Sequence, residues 1–213
     1  RGFGHFASYE GPGQHFDQTF VVNGKPRETK GFQGDGITDL ALNFLDAEAA
    51  GKDRPWFLVL GHKAPHVPLT PTPQFEGALQ DADFSLPASM DDPLASLPRR
   101  YQSSRIGEGG RHGISERLAW REEVRAYWEL VLSLDASVGR MIRGMEERGL
   151  MRETLVIFTS DNGQLLGEHG LRQKGLAYEP SIRVPLIIRA GSDGPTGTRD
   201  GLVTNLDLGP TIL

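Results

Sequence analysis

At 213 residues, with 38% hydrophobic and 24% charged residues, the chain is long enough for one sizeable domain with its own core and has the composition of a folded protein. A net charge of −5 with no Lys/Arg block argues against nucleic acid or acidic membrane as partners held by bulk electrostatics, and no apolar run approaches the roughly 20 residues of a membrane span. Cysteine is absent, which removes disulfides, thiolate metal sites and a cysteine nucleophile from these residues.

In chain order, residues 1–35 are rich in Gly and aromatics and read as loop. The exception is a hairpin in "TFVVNGKPRETK", where Asn23-Gly24 follows an apolar run. Thr38-Asp39 opens a helical pattern in which Ile37, Leu40, Ala41, Phe44, Leu45 and Ala49 recur at helical spacing, with Gly51 as the stop. "PWFLVLGH" (55–62) is a short continuous apolar run that suits a strand buried on both faces. The proline-rich "HKAPHVPLTPTPQF" must leave that strand as an extended loop. Residues 76–115 read as an irregular surface excursion and a candidate part of a substrate pocket. The clearest helix runs from about 116 to 148, its apolar face made by Trp120, Val124, Tyr127, Val131, Leu134, Val138, Met141 and Met145. "TLVIFTSDNG" and "VPLIIRAG" are two further buried strands, and "GLVTNLDLGPTIL" begins like a strand or a helix entry. This alternation argues for an α/β fold with a mainly parallel sheet flanked by helices, whose ligands sit at the carboxyl ends of strands.

Polar clusters follow two of the expected strands. Asp161 and Asn162 offer a carboxylate and an amide oxygen, ligands that hard divalent cations take, although two are too few for a closed site. His62, Lys63 and His66 form the other cluster; a histidine can give or take a proton near neutral pH. Lys174 is a point charge able to hold an anionic oxygen. Cation, lysine and proton donor around one pocket would suit cleavage of an anionic sulfate or phosphate ester. Taken singly, each feature also has a plainer reading. Asp-Asn-Gly is a common turn, the histidines could be loop residues, Lys174 could be a solvated lysine, and Glu168-His169 could be a local hydrogen-bond pair. Only their joint occurrence after two strands raises the chemical reading.

At these residues the sequence closely resembles the sulfatase family of the alkaline phosphatase superfamily. The resemblance rests on "FLVLGHKAPHVPLTP", on "DASVGRMIRGMEERGLMRETLVIFTSDNG" and on "TLVIFTSDNGQLLGEHGLRQKGLAYEPSIRVPLIIRAG". "GPGQHFDQTFVVNGKPRETKGFQGDGITDLALNFL" fits upstream and "LVTNLDLGPTIL" downstream, so nearly the whole chain is covered, least well in 80–115. The resemblance implies the alkaline-phosphatase/sulfatase-like fold. It also implies sulfuric ester hydrolase activity on a sulfated sugar, such as a glucosamine or glycosaminoglycan unit, or on an aryl sulfate. Asp161 and Asn162 would be ligands of one calcium ion. Lys174 would bind the sulfate oxygens, and His66 would contact the sulfate and help the leaving ester oxygen. His62, Lys63 and His169 would lie near substrate, with Glu168 supportive, and Arg183 would serve structure or pocket shape. The resemblance points to a periplasmic, secreted or lysosomal parent.

One departure matters. Sulfatases use a formylglycine made from Cys or Ser in a Cys/Ser-x-Pro-x-Arg motif near the family's N-terminus, whose hydrated aldehyde is the nucleophile, together with paired aspartates that complete the metal site. None of these precedes the histidine loop here. "SLPRR", Ser96 to Arg100, matches formally but lies after that loop, and Arg99 replaces the usual small residue. The chain, which opens on Arg1, therefore reads as residues 1–213 of a partial sulfatase catalytic domain, truncated at both ends and inactive alone. The alternatives are a phosphodiesterase or phosphonate monoester hydrolase of the same superfamily, and a non-catalytic pseudo-sulfatase that binds sulfated glycans.

Overall fold

The computed structural model describes residues 3–49, 55–92, 96–102 and 117–213. In chain order the elements are β1 (Ala7–Ser8), β2 (Thr19–Val22), β3 (Lys25–Glu28), α1 (Gln33–Phe44), α2 (Arg99–Gln102), α3 (Arg117–Glu147), β4 (Leu155–Thr159), β5 (Leu165–Leu166), β6 (Arg172–Gln173), α4 (Glu179–Ile182), β7 (Leu186–Ala190) and α5 (Leu208–Ile212). They divide into two compact units, residues 1–85 with 116–150, and residues 86–115 with 151–213. Among the described residues no helix is long and apolar enough to cross a membrane.

In the first unit, β1, β2 and β3 form an antiparallel meander. Val22 pairs with Lys25 across the two-residue loop Asn23-Gly24, and both loop residues have positive φ (49° and 83°). That is the hairpin turn an Asn-Gly pair favours, because its twist matches that of the strands. The Asn23 side chain also accepts the Phe6 N–H at 2.9 Å, which ties in β1. Phe20 is the buried residue of β2, while β3, with Lys25, Pro26, Arg27 and Glu28 all exposed, is an edge guarded by charge and proline.

Helix α1 starts at Gln33, five residues before the expected Thr38. Gly34 and Gly36 weaken the helical signal of that first turn, but packing overrides propensity. A Cβ on Gly34 would lie 2.7 Å from the Ser137 hydroxyl, and one on Gly36 would lie 3.1 Å from Thr29 Oγ1, so the glycines permit close approach. The helix buries Thr38, Leu40 and Ala41 and packs on α3, with Arg140 reaching Asp39 at 2.6 Å. The expected stop at Gly51 lies outside the described residues.

The long helix is present from Arg117, and Trp120, Val124, Met141 and Met145 are buried as expected. Three polar residues on the same helix are also buried, namely Glu129, Ser133 and Ser137. The two serines bond back to carbonyls four residues earlier. Ser133 Oγ additionally accepts the Thr72 N–H at 3.0 Å, and Glu129 accepts the Leu79 N–H at 3.1 Å. These acceptors dock the proline-rich loop, whose backbone lacks a ladder.

The expected strand at 55–62 is corrected. Its exposure alternates along the chain, with Phe57 and Val59 more than half exposed, and it belongs to no strand. A doubly buried strand needs ladder partners and cover on both faces, and no described strand pairs with it.

In the second unit, β4 and β7 pair in register from Leu155↔Ala190 to Thr159↔Leu186. The pairing is antiparallel, as are all pairings among the described strands, where the alternation of elements pointed to mainly parallel ones. The chain between β4 and β7 holds the β5–β6 hairpin and the four-residue α4, with no long helix to carry a parallel crossover. Ile187 and Ile188 are exposed rather than buried. Leu97, Leu165, Leu171 and Leu176 form a core cluster with Tyr101 and Tyr178 packed against it. The final segment resolves as a helix entry: Thr204 and Asp207 form a capping box before α5.

Candidate functional site

Asp161 and Asn162 follow the carboxyl end of β4. Three contacts set their turn. Ser160 Oγ donates to the Asn162 carbonyl at 2.9 Å, and Asn205 Nδ2 donates to the Ser160 carbonyl at 2.9 Å. The Gly163 N–H donates to the Ser181 carbonyl at 2.9 Å. Gly163 is required by space: a Cβ there would be driven into the Pro180 carbonyl oxygen and would lie 3.0 Å from that of Arg183. Asn162 Nδ2 donates to the Gly163 carbonyl at 2.9 Å, which turns its amide oxygen away from that bond as an acceptor. Asp161 is exposed and makes no ion pair among the described residues. A carboxylate and an amide oxygen at a strand end fit a hard cation in donor type. In number they fall short, since the described residues hold no group of three His, Cys, Asp or Glu placed to share a metal.

Lys174 is half-buried in a tight turn between Gln173 (φ 71°) and Gly175 (φ 95°). The Gly175 N–H donates to Ser181 Oγ at 3.1 Å. Ser181, itself buried, therefore holds the Asp161-Asn162 turn through its carbonyl and the Lys174 turn through its hydroxyl. Sequence reasoning missed this residue, and also Asn205. The only signal was a small hydroxyl residue just after Glu179-Pro180, where Pro sits in the first turn of α4.

His169 occupies a loop closed by Gly167 and Gly170, itself at φ 54°. Its Nδ1 meets Asp92 at 2.8 Å, its N–H donates to Ser89 Oγ at 3.1 Å, and its ring stacks on Tyr178 at 4.4 Å. Burial, with Tyr101 and Asp92 alongside, pushes the Tyr178 phenol up, so it stays neutral. Glu168 accepts the Leu166 N–H at 2.8 Å and steadies the same hairpin. In the formal match at Ser96–Arg100, Leu97 is buried in the core cluster.

His62, Lys63 and His66 belong to the first unit, whereas Asp161, Asn162, His169 and Lys174 belong to the second. Lys63 is buried, and its ammonium donates to the Pro12 and Val67 carbonyls at 3.0 and 3.1 Å, which is a fastening geometry. His62 is half-buried, its Nδ1 has no partner among the described residues, and burial lowers its pKa. His66 is exposed, and its Nδ1–H donates to the Val67 carbonyl at 2.8 Å, which places the Nε2 edge as the one able to exchange a proton with a ligand. His15, overlooked in the sequence, lies against this loop, with Nε2 2.6 Å from the His66 carbonyl.

Comparison with known proteins gives a consistent picture. The profile of the family described as Sulfatase matches residues 1–213. N-acetylglucosamine-6-sulfatase of Capra hircus is 30% identical over 227 residues, covering all of this chain and 38% of that protein. N-acetylglucosamine-6-O-sulfatase of Bacteroides thetaiotaomicron is 28% identical over all of this chain and 48% of its own length. A structure solved in complex with its substrate D-glucosamine-2-N,6-O-disulfate superposes with a TM-score of 0.74 at 28% identity, covering 89% of this chain and 50% of that one. The chain thus spans about half or less of the length of these relatives.

Proposed function

The chain belongs to the sulfatase family, and from that premise we propose that it is part of a catalytic domain that hydrolyses a sulfate ester on a sulfated sugar, glucosamine 6-O-sulfate being the first candidate. The observation that carries the proposal is the arrangement around Ser181. One buried residue fastens both the turn that carries a carboxylate and an amide oxygen and the turn that carries Lys174. The substrate class is supported by relatives named for N-acetylglucosamine 6-sulfate and by the structural neighbour that holds a glucosamine disulfate.

In this reading Asp161 and Asn162 hold one calcium ion, with the remaining ligands supplied from elsewhere in the protein. Calcium and a formylglycine, when present, supply polarisation of the sulfate oxygens and the nucleophile. Lys174 binds the sulfate oxygens and offsets the charge that grows on them. His66, its Nδ1–H fixed on the Val67 carbonyl, presents Nε2, and in the doubly protonated imidazolium form that Nε2–H gives its proton to the departing sugar oxygen, leaving the neutral Nδ1–H tautomer. The 213 residues contain no cysteine, and their one Ser-x-Pro-x-Arg match buries its Leu97 in the core. In this reading these residues alone are inactive.

The test is sulfate release from glucosamine 6-sulfate by the full-length protein, produced in a host that makes formylglycine. Calcium-dependent release that falls roughly 100-fold or more in Lys174→Ala supports the reading. Cleavage of a phosphodiester or phosphonate monoester with zinc or manganese, and no sulfate release with calcium, would replace it with phosphoryl chemistry.

A further inference from the structure

The geometry points to His15 as a positioning residue for His66, an inference that rests on the role of His66 proposed above. His66 sits on an exposed, proline-rich loop with no ladder of its own, so its ring is only as well placed as its backbone. Besides the turn bond from the His66 N–H to the Lys63 carbonyl at 2.8 Å, two buried side chains hold that backbone. His15 Nε2 lies 2.6 Å from the His66 carbonyl, and Lys63 Nζ bonds the Val67 carbonyl, the same oxygen that accepts the His66 Nδ1–H. Lys63 also bonds the Pro12 carbonyl, so segment 12–15 is fastened to segment 63–67 at two points, each joining residues 51 apart in sequence.

His15 is built to hold rather than to react. It is 4% exposed, and its ring lies parallel to Phe32 at 6.2 Å. Its own carbonyl accepts the Gln33 N–H at 2.7 Å, where α1 begins. A carbonyl only accepts, so Nε2 carries the proton and Nδ1 is bare; Nδ1 is buried with no partner among the described residues. Burial, which lowers the pKa of His15, keeps the ring neutral in that form. A phenylalanine would make the same stack without an orphaned nitrogen. What the histidine adds is the Nε2–H on the His66 carbonyl.

The test uses the full-length enzyme with three variants. His15→Phe fills the space without a donor, His15→Gln places an amide N–H near the Nε2 position, and His15→Asn places one near Nδ1. The expected result is a kcat at least tenfold lower in His15→Phe and His15→Asn with KM little changed, and recovery to within threefold in His15→Gln. Nitrogen-15 NMR of the His66 ring gives a second readout that needs no turnover. Wild type and His15→Gln should show the Nδ1–H tautomer, and His15→Phe a mixture of tautomers. Should His15→Phe fail to fold, the contrast between Gln and Asn variants decides alone. A folded His15→Phe with wild-type kcat, an Asn variant as active as the Gln variant, or an unaltered His66 spectrum in His15→Phe overturns the proposal. If His66→Ala keeps full activity, the reading of His66 falls instead, and the spectrum alone then decides whether His15 holds it.

Discussion

Replacing Gly163 with alanine tests the core of the proposed site. The new Cβ would be forced against the Pro180 carbonyl oxygen, with the Arg183 carbonyl oxygen 3.0 Å away. Both obstacles are backbone and cannot rotate aside. The Asp161–Gly163 turn must therefore move off α4 and give up the 2.9 Å bond from Gly163 N–H to the Ser181 carbonyl. Overpacking of this kind costs about 1–3 kcal/mol, and the lost hydrogen bond adds about 0.5–1.5 kcal/mol, so the expected destabilisation is about 2–4 kcal/mol. For a chain of this size that lowers the unfolding midpoint by roughly 5–15 °C. The same movement displaces Asn162, so the calcium concentration needed for half-maximal activity should rise at least tenfold in the full-length protein. Gly61→Ala is the control: a Cβ there meets nothing within 4 Å, and its effect should stay within roughly 0.5 kcal/mol. Calorimetry and calcium titration of the two variants give the answer. A Gly163→Ala protein that melts within a degree of wild type and keeps its calcium dependence would refute the reasoning.

The remaining predictions follow from other contacts. Ser181→Ala removes the acceptor of the Gly175 N–H, and its cost of about 1 kcal/mol should appear with a raised KM for the sulfated substrate, while Ser181→Thr restores the bond where its extra methyl fits. Ser133→Ala strips the Thr72 N–H of its acceptor and should destabilise by about 1–3 kcal/mol in chemical denaturation. His15 and His62 both have pKa values lowered by burial, so the unfolded chain takes up their protons first. Stability should therefore be level above the ordinary imidazole value of about 6.5 and fall as pH drops below it, until the folded-state values are passed; a His15→Gln/His62→Gln double variant should flatten that window in pH-dependent unfolding. The isolated 213-residue chain should release no sulfate from an aryl sulfate above background.

Much of the chemistry could be read locally, because it depends on residue type at short range. Asn23-Gly24 dictated its turn through backbone sterics, the 3.6-residue period of Trp120, Val124, Met141 and Met145 marked the long helix, and an apolar run stopping at Asp161-Asn162 marked the strand end. Local signals were weakest where packing decided the outcome. Gly34 and Gly36 depress helix propensity, yet α1 begins there because only hydrogen side chains leave room for Ser137 and Thr29. The strand expected at 55–62 fails because hydrophobicity describes a tendency to bury, while a strand exists only with ladder partners. Which residues hold the candidate site was likewise invisible. Ser181, Asn205 and His15 act through hydrogen bonds to residues 6 to 51 positions away, and no local pattern encodes those pairings. The kinds of group available for chemistry were thus set by the sequence alone, and the tertiary structure decided what fastens them, because fastening is a property of atoms brought together across the chain.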